Sequence, residues 1–214
     1  MTKISKITLP LTIFLITSLS MVLNQAGIDQ LGHSLRLKLV EQPFTPLLNR
    51  FGLLGSVEFM IICSLVTISY LLLKRYYLLT FLFLSVNATG IILNFFVKIL
   101  FQRERPGSER VIRLFNFELE LASYSFPSGH VMRVTILVLS LLYLVKFLFT
   151  SSKKILLNGL AGGCILLVAL NRIISNAHFL TDVIAAISLS LTFFYIIIYW
   201  FQSTKFYSTC SPPS

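Results

Sequence analysis

The chain has 214 residues, 56% of them hydrophobic and 12% charged, with a mean hydropathy of +0.84 and a net charge of +10. Soluble domains carry about twice that share of charge, so the composition argues against a water-soluble core and makes lipid the expected solvent. The positive balance fits lysines that anchor helix ends and arginines that meet an anionic group. With no soluble basic module to carry it, the charge does not point to nucleic acid.

A membrane-crossing helix needs about 20 mainly apolar residues. Six stretches qualify, at 7–24, 52–73, 77–101, 127–149, 154–172 and 179–201. The expected fold is all-α, an integral membrane six-helix bundle that forms one domain over residues 1–214. The first stretch follows Lys3 and Lys6, as a secretory signal would. "VLNQAG" lacks a small-x-small cleavage pattern, so a retained helix is expected. The next segment, "GIDQLGHSLRLKLVEQPFTPLLNRFG", spaces its apolar residues as a helix does, with Arg36, Lys38 and Arg50 between them. It reads as an amphipathic segment lying on the bilayer surface. Cys63 and Cys164 fall inside apolar runs and act as small core hydrophobes; with Cys210 they show no metal-binding spacing.

The tight basic connections "KR" at 74–75 and "SSKK" at 151–154 assign their side to the cytoplasm, together with Lys3, Lys6 and Lys205. The connections 25–51, 102–126 and 173–178 are then external. Ten of the eighteen Lys and Arg fall on or near that outer side. Some of them are better read as anion ligands than as topology signals. Arg103, Arg110 and Arg113 read as solvated loop charges or lipid-headgroup contacts. "FNFELELASYSF" (115–126) alternates apolar and polar residues and either caps a site or rests on headgroups. "GLAGG" (159–163) permits close helix packing, and "STCSPPS" reads as a disordered tail.

The polar residues within the apolar runs converge. Lys98 and Arg105 stand at the end of the third span, "PSGH" (127–130) opens the fourth, Arg172 ends the fifth, and His178 and Asp182 open the sixth. Successive spans run antiparallel, so all of these groups fall at one face of the membrane. Intramembrane charges gathered from four helices mark a site. Lys98 and Arg105 are seven residues apart and share a face if the helix continues. His178 and Asp182 are four apart, so the carboxylate can hold one ring nitrogen and leave the other free to attack. Pro127 suits a helix start, with Ser128 and Gly129 offering first-turn N–H groups to an anion. No acidic cluster suits Mg²⁺ or Ca²⁺, and no third ligand joins the two histidines for zinc. No cofactor or metal is therefore expected. The cations instead form a cradle for phosphate. Glu58 and Arg133 each lie roughly 9 Å inside their spans at 1.5 Å per residue. They are expected to pair beneath the site, or else Arg133 reaches a second phosphate.

"KILFQRERP" (98–106), "PSGH" (127–130) and "RIISNAHFLTD" (172–182) resemble the three signatures of the type 2 phosphatidic acid phosphatase family, which includes vanadium haloperoxidases and acid phosphatases. The spacings agree throughout, except that Asn171 stands where the family has Ser. The resemblance implies a metal-independent, two-step phosphoryl transfer. His178 would be the nucleophile that becomes a phosphohistidine, Asp182 its orienting carboxylate, and His130 the general acid and then base. Lys98, Arg105, Ser128, Gly129 and Arg172 would bind the phosphoryl oxygens, with Asn171, Arg133 and Glu58 in support. The implied substrate is a membrane lipid phosphate at the external face of the cell membrane: undecaprenyl diphosphate, by a narrow margin, phosphatidylglycerophosphate or phosphatidic acid. A lipid-to-lipid phosphotransferase, a haloperoxidase and a non-enzymatic transporter are the alternatives. Six spans disfavour the haloperoxidase, and the His–x₃–Asp and Pro-Ser-Gly-His spacings disfavour the transporter.

Overall fold

The computed structural model describes residues 2–107, 112–114, 117–119, 124–148 and 154–204. The tail "STCSPPS", Cys210, Lys205, Arg110 and part of the 115–126 stretch lie outside these residues. The helices in chain order are α1 (Ser5–Val22), α2 (Gly27–Val40), α3 (Thr45–Arg50), a 3₁₀ turn (Phe51–Gly55), α4 (Val57–Leu73), α5 (Tyr77–Phe101), α6 (Gly129–Leu148), α7 (Lys154–Ile174) and α8 (Leu180–Ser203). Between α5 and α6 a short antiparallel hairpin pairs β1 (Ile112–Leu114) with β2 (Phe117–Leu119), a small exception to the all-α expectation.

Five helices (α1, α5, α6, α7 and α8) are long and apolar enough to cross a bilayer by themselves. The sixth span is broken. Thr45–Gly55 and Val57–Leu73 qualify only as a pair, bent by 54°. The expected continuous helix over 52–73 therefore divides at Ser56. That residue is extended and caps α4, its hydroxyl accepting the N–H of Phe59 at 3.1 Å. A side-chain cap supplies the partner that a first-turn N–H otherwise lacks. At the other end of the chain's longest helix, Gln102 takes a left-handed conformation (φ 44°) and stops α5. Lys98 and Arg105 consequently do not share a helix face. Arg105 reaches the site from a loop.

The packing follows from lipid as solvent. Leu65, Phe96 and Leu166 are each about 60% exposed and face outward, where hydrocarbon would meet them. α6 is the hub, burying Val131, Val134 and Ile136 in a core shared with Val86 of α5, Val168 of α7, and Ala185, Ala186 and Leu189 of α8. α1 lies along α8 and α2 packs over α7 and α8. Lipid tails are as apolar as these side chains, so close packing at small residues is what holds such helices together. Ala185 and Ala186, fully buried, supply it on α8. The alternation of spans brings the ends of α1, α5 and α7 together with the starts of α4, α6 and α8. α2, α3 and the 3₁₀ turn cover that end.

Candidate active site

Each signature contributes through a different local device. The turn after α7 is tied by Ala177 N–H to Arg172 O (3.1 Å) and by Asn176 N–H to Ile173 O (3.0 Å), with Asn176 in the left-handed region (φ 52°). The Asn176 side chain then donates to Pro106 O at 3.2 Å, which brings the Arg105–Pro106 loop onto this corner. Arg105 Nη1 donates to Ala177 O at 3.3 Å, adjacent to His178. Lys98 is buried and donates through Nζ to Tyr124 O.

α6 begins at Gly129, two residues beyond Pro127. The Pro127 carbonyl accepts from Asn94 Nδ2 of α5 at 3.3 Å. The Ser128 N–H donates to the main-chain carbonyl of Asp182 at 3.1 Å, so it is not offered to an anion as the sequence suggested. The Ser128 hydroxyl is the usable donor instead, because its Oγ is buried and forms no hydrogen bond. Buried hydroxyls are nearly always bonded, so one without a partner suits a substrate oxygen.

His178 is 4% exposed and Asp182 is fully buried. His178 Nδ1 lies 3.4 Å from Asp182 Oδ2 without hydrogen-bond geometry. That oxygen accepts the Phe179 N–H at 2.9 Å, closing the first turn of α8. The carboxylate thus faces the ring at close range and favours its protonated form. Burial pushes the His178 imidazole down to about 4, with Arg105 and Lys98 acting in the same direction and Asp182 opposing them. The ring is therefore neutral at neutral pH, as a nucleophile requires.

His130 faces different neighbours. Arg133 Nη2 lies 3.3 Å from its Nδ1, while Arg133 Nε donates to Gly55 O at 3.1 Å. A guanidinium only donates, so Nδ1 accepts and the ring proton sits on Nε2 in this arrangement. Arg172, His178 and Arg105 also act electrostatically on His130, so these groups lie within electrostatic range of its ring. Arg133 is not paired with Glu58. Glu58 is exposed in the first turn of α4 and interacts mainly with Ser56 and its own backbone. Glu58 and Arg133 interact only at longer range, so the close pairing expected from depth alone does not form.

Asn171 does what the resemblance leaves open. Its Oδ1 accepts from Arg172 Nε at 2.8 Å and from Nη2, and its Nδ2 reaches the Asn49 side chain at 3.3 Å. It holds the Arg172 guanidinium and ties it to α3. The 3₁₀ turn packs onto this pair through Gly52. A Cβ there would lie 2.5 Å from Arg172 Nη2 and from Asn171 Oδ1, so a larger residue would displace these two side chains. Gly55 makes the same close approach to His130, where a Cβ would lie 2.9 Å from the histidine Cβ.

Two residues of this region were not anticipated. Arg103, expected as a solvated charge, is 15% exposed and bonds Asp182 Oδ1 at 2.7 Å and Asp29 Oδ2 at 2.6 Å. Asp29 comes from α2, 74 positions earlier, a separation that no local pattern reveals.

A model of the PAP2 superfamily matches residues 78–206, which is more than half of the chain. Phosphatidylglycerophosphatase B of Bacillus subtilis (strain 168) is 34% identical over 118 residues, 54% of this chain; the match spans about half (55%) of that relative's length. The crystal structure of a transmembrane PAP2-type phosphatidylglycerolphosphate phosphatase from Bacillus subtilis superposes with a TM-score of 0.74 at 25% identity. That superposition covers 92% of this chain and 97% of the other. With three signatures meeting at one end of a multi-pass bundle and a family model matched across four of its spans, the chain belongs to the PAP2 superfamily.

Proposed function

We propose that the chain hydrolyses a lipid phosphomonoester or diphosphate through a phosphohistidine intermediate at the external face of the membrane. The observation that carries this reading is a neutral, buried His178 backed by Asp182, with Lys98 and Arg105 acting on it and Arg172 acting on the neighbouring His130. In the first step His178 Nε2 attacks phosphorus, a P–N bond forms, the P–O bond to the lipid breaks, and His130 protonates the departing oxygen. In the second, His130 takes a proton from water, the water oxygen attacks phosphorus, and the P–N bond breaks to return neutral His178 and phosphate. Lys98, Arg105, Arg172 and the Ser128 hydroxyl neutralise the transferring group in both steps. The imidazolium form that a general acid needs carries protons on both nitrogens. The Arg133 contact with His130 Nδ1 must therefore open when His130 is charged, with Gly55 O retaining the guanidinium nearby.

Similarity to phosphatidylglycerophosphatase B favours phosphatidylglycerophosphate as substrate over undecaprenyl diphosphate. The test is phosphate release by purified protein from phosphatidylglycerophosphate, phosphatidic acid and undecaprenyl diphosphate, with and without EDTA. Release that survives EDTA, and an acid-labile, alkali-stable phosphoprotein in rapidly quenched samples, are expected. Metal dependence, or label passing to a lipid alcohol in place of water, would overturn the hydrolytic mechanism.

A further inference from the structure

The residues behind the catalytic histidine form a closed network in which Asp182 alone has a role assigned by the three signatures. Arg103 stands at its centre. Nη1 donates to Asp182 Oδ1 at 2.7 Å and to Thr181 Oγ1 at 2.6 Å, and Nη2 donates to Asp29 Oδ2 at 2.6 Å. The guanidinium lies 3.9 Å from the centroid of the Phe179 ring. The other oxygen of Asp29, Oδ1, accepts the Thr181 N–H at 3.0 Å and the Thr181 hydroxyl at 2.8 Å. Asp29 on α2 thus caps the start of α8 from outside, while Asp182 caps it from within through the Phe179 N–H.

We propose that Asp29 and Arg103 are positioning residues for the nucleophile, coupling the seating of α2 to the orientation and effective charge of the Asp182 carboxylate behind His178. The proposal rests on the phosphohistidine reading of His178 for its consequence in turnover, and on geometry for the coupling itself. Asp182 has two oxygens and three claimants: the Phe179 N–H, Arg103 and His178. By binding Oδ1, Arg103 fixes the carboxylate plane that presents Oδ2 toward His178. A lone arginine there would also cancel the charge that His178 needs when it turns cationic on forming the P–N bond. Asp29 balances Arg103, so the three groups together present one negative charge. Arg103 is 15% and Asp29 13% exposed by side chain, so solvent screens this balance only in part. The other charged or titratable groups that act on His178 are Lys98 of α5, Arg105 of the loop and His130 of α6, which Arg133 of α6 and Arg172 of α7 influence in turn. On the α2 side, His33 and Arg36 line a cavity of about 270 Å³ that reaches His178.

The balance predicts opposite signs for two substitutions. Asp29→Asn leaves the positive Arg103 uncompensated and makes protonation of His178 harder. Arg103→Gln leaves two carboxylates and makes it easier. A merely structural role would move both the same way. The experiment uses full-length protein labelled with ¹⁵N-histidine in lipid nanodiscs, following the His178 resonance against pH and assigning it by its loss in His178→Ala. Relative to wild type, the apparent His178 pKa should fall by about half a unit or more in Asp29→Asn and rise by as much in Arg103→Gln. In phosphate-release assays both variants should lose roughly tenfold or more in kcat with KM little changed, as expected for a supporting carboxylate network. Arg103→Lys should recover part of the loss, and Asp29→Glu serves as the second variant if Asp29→Asn does not fold. Shifts of the same sign, no shift, or a rate loss that only follows the folded fraction would overturn the proposal. If wild-type protein releases phosphate from no lipid, the hydrolytic reading fails while the titration still decides this one.

Discussion

His130 and His178 stand at the same end of the bundle in opposite electrostatic settings. Behind Nδ1 of His178 is a buried carboxylate at 3.4 Å, and behind Nδ1 of His130 is a guanidinium at 3.3 Å. His178 is sealed at the α7–α8 corner, whereas His130 is half-buried at the first turn of α6. A carboxylate stabilises the cation formed when a ring nitrogen bonds phosphorus, and a guanidinium opposes a lasting charge on the ring that shuttles protons. In the proposed mechanism, two identical side chains are thus given different tasks by what lies behind them, as with paired carboxylates in other enzymes.

The sharpest way to break this comparison is to remove each ring. His178→Ala should lower phosphate release by about 10⁴-fold or more and leave no trapped phosphoprotein. His130→Ala should lose about 10²–10⁴-fold with natural substrates. With an aryl phosphate, whose leaving group needs no proton, it should accumulate the phosphoenzyme. Trapping the same amount from both variants would abolish the division of roles.

The pH profile sharpens it next. In the proposed mechanism neutral His178 is the reactive form, and burial pushes its pKa down to about 4. Activity should therefore persist below pH 6.5 and be lost through His178 only as pH falls through about 4, read as the acid limb of kcat/KM. Because the ring binds its proton more weakly folded than unfolded, the melting temperature should decline as pH drops from about 6.5 toward 4. An acid limb near pH 6.5 would place the attacking histidine in an exposed setting.

Smaller effects are expected at the segment that packs against Arg172 and Asn171. Gly52→Ala forces a methyl group against Arg172 and Asn171. Overpacking of this kind costs about 1–3 kcal/mol, which should appear as a roughly tenfold lower kcat/KM and a lower melting temperature. The smallest change is expected from Asn171→Ser, which restores the family's residue. The shorter side chain loses the tie to Asn49, about 1 kcal/mol of stability, while activity stays within a few-fold. A collapse of activity would mean that Asn171 does more than hold Arg172.

The spans and the three signatures were legible in the sequence because both are local. An apolar run reports its own burial in lipid, and His178 and Asp182 meet through one helical turn. What the sequence concealed depends on approach between distant segments. The break at Ser56 sits inside a stretch apolar enough to read as one helix, and depth counted along that imagined helix wrongly paired Glu58 with Arg133. Arg103 looked like any loop arginine because its partners, Asp29 and Asp182, are 74 and 79 positions away. Ser128 was seen as a phosphate donor, but the hydroxyl, not the N–H, is available, since the amide is committed to Asp182.

That commitment carries a consequence. The Ser128 N–H and the Asp182 carbonyl join the two stretches bearing the histidines by a main-chain bond of 3.1 Å, independent of side-chain identity. The spacing between the starts of α6 and α8 is thus held in part by backbone. Substitutions on the lipid-facing surface, such as at Leu65, Phe96 or Leu166, leave that bond untouched.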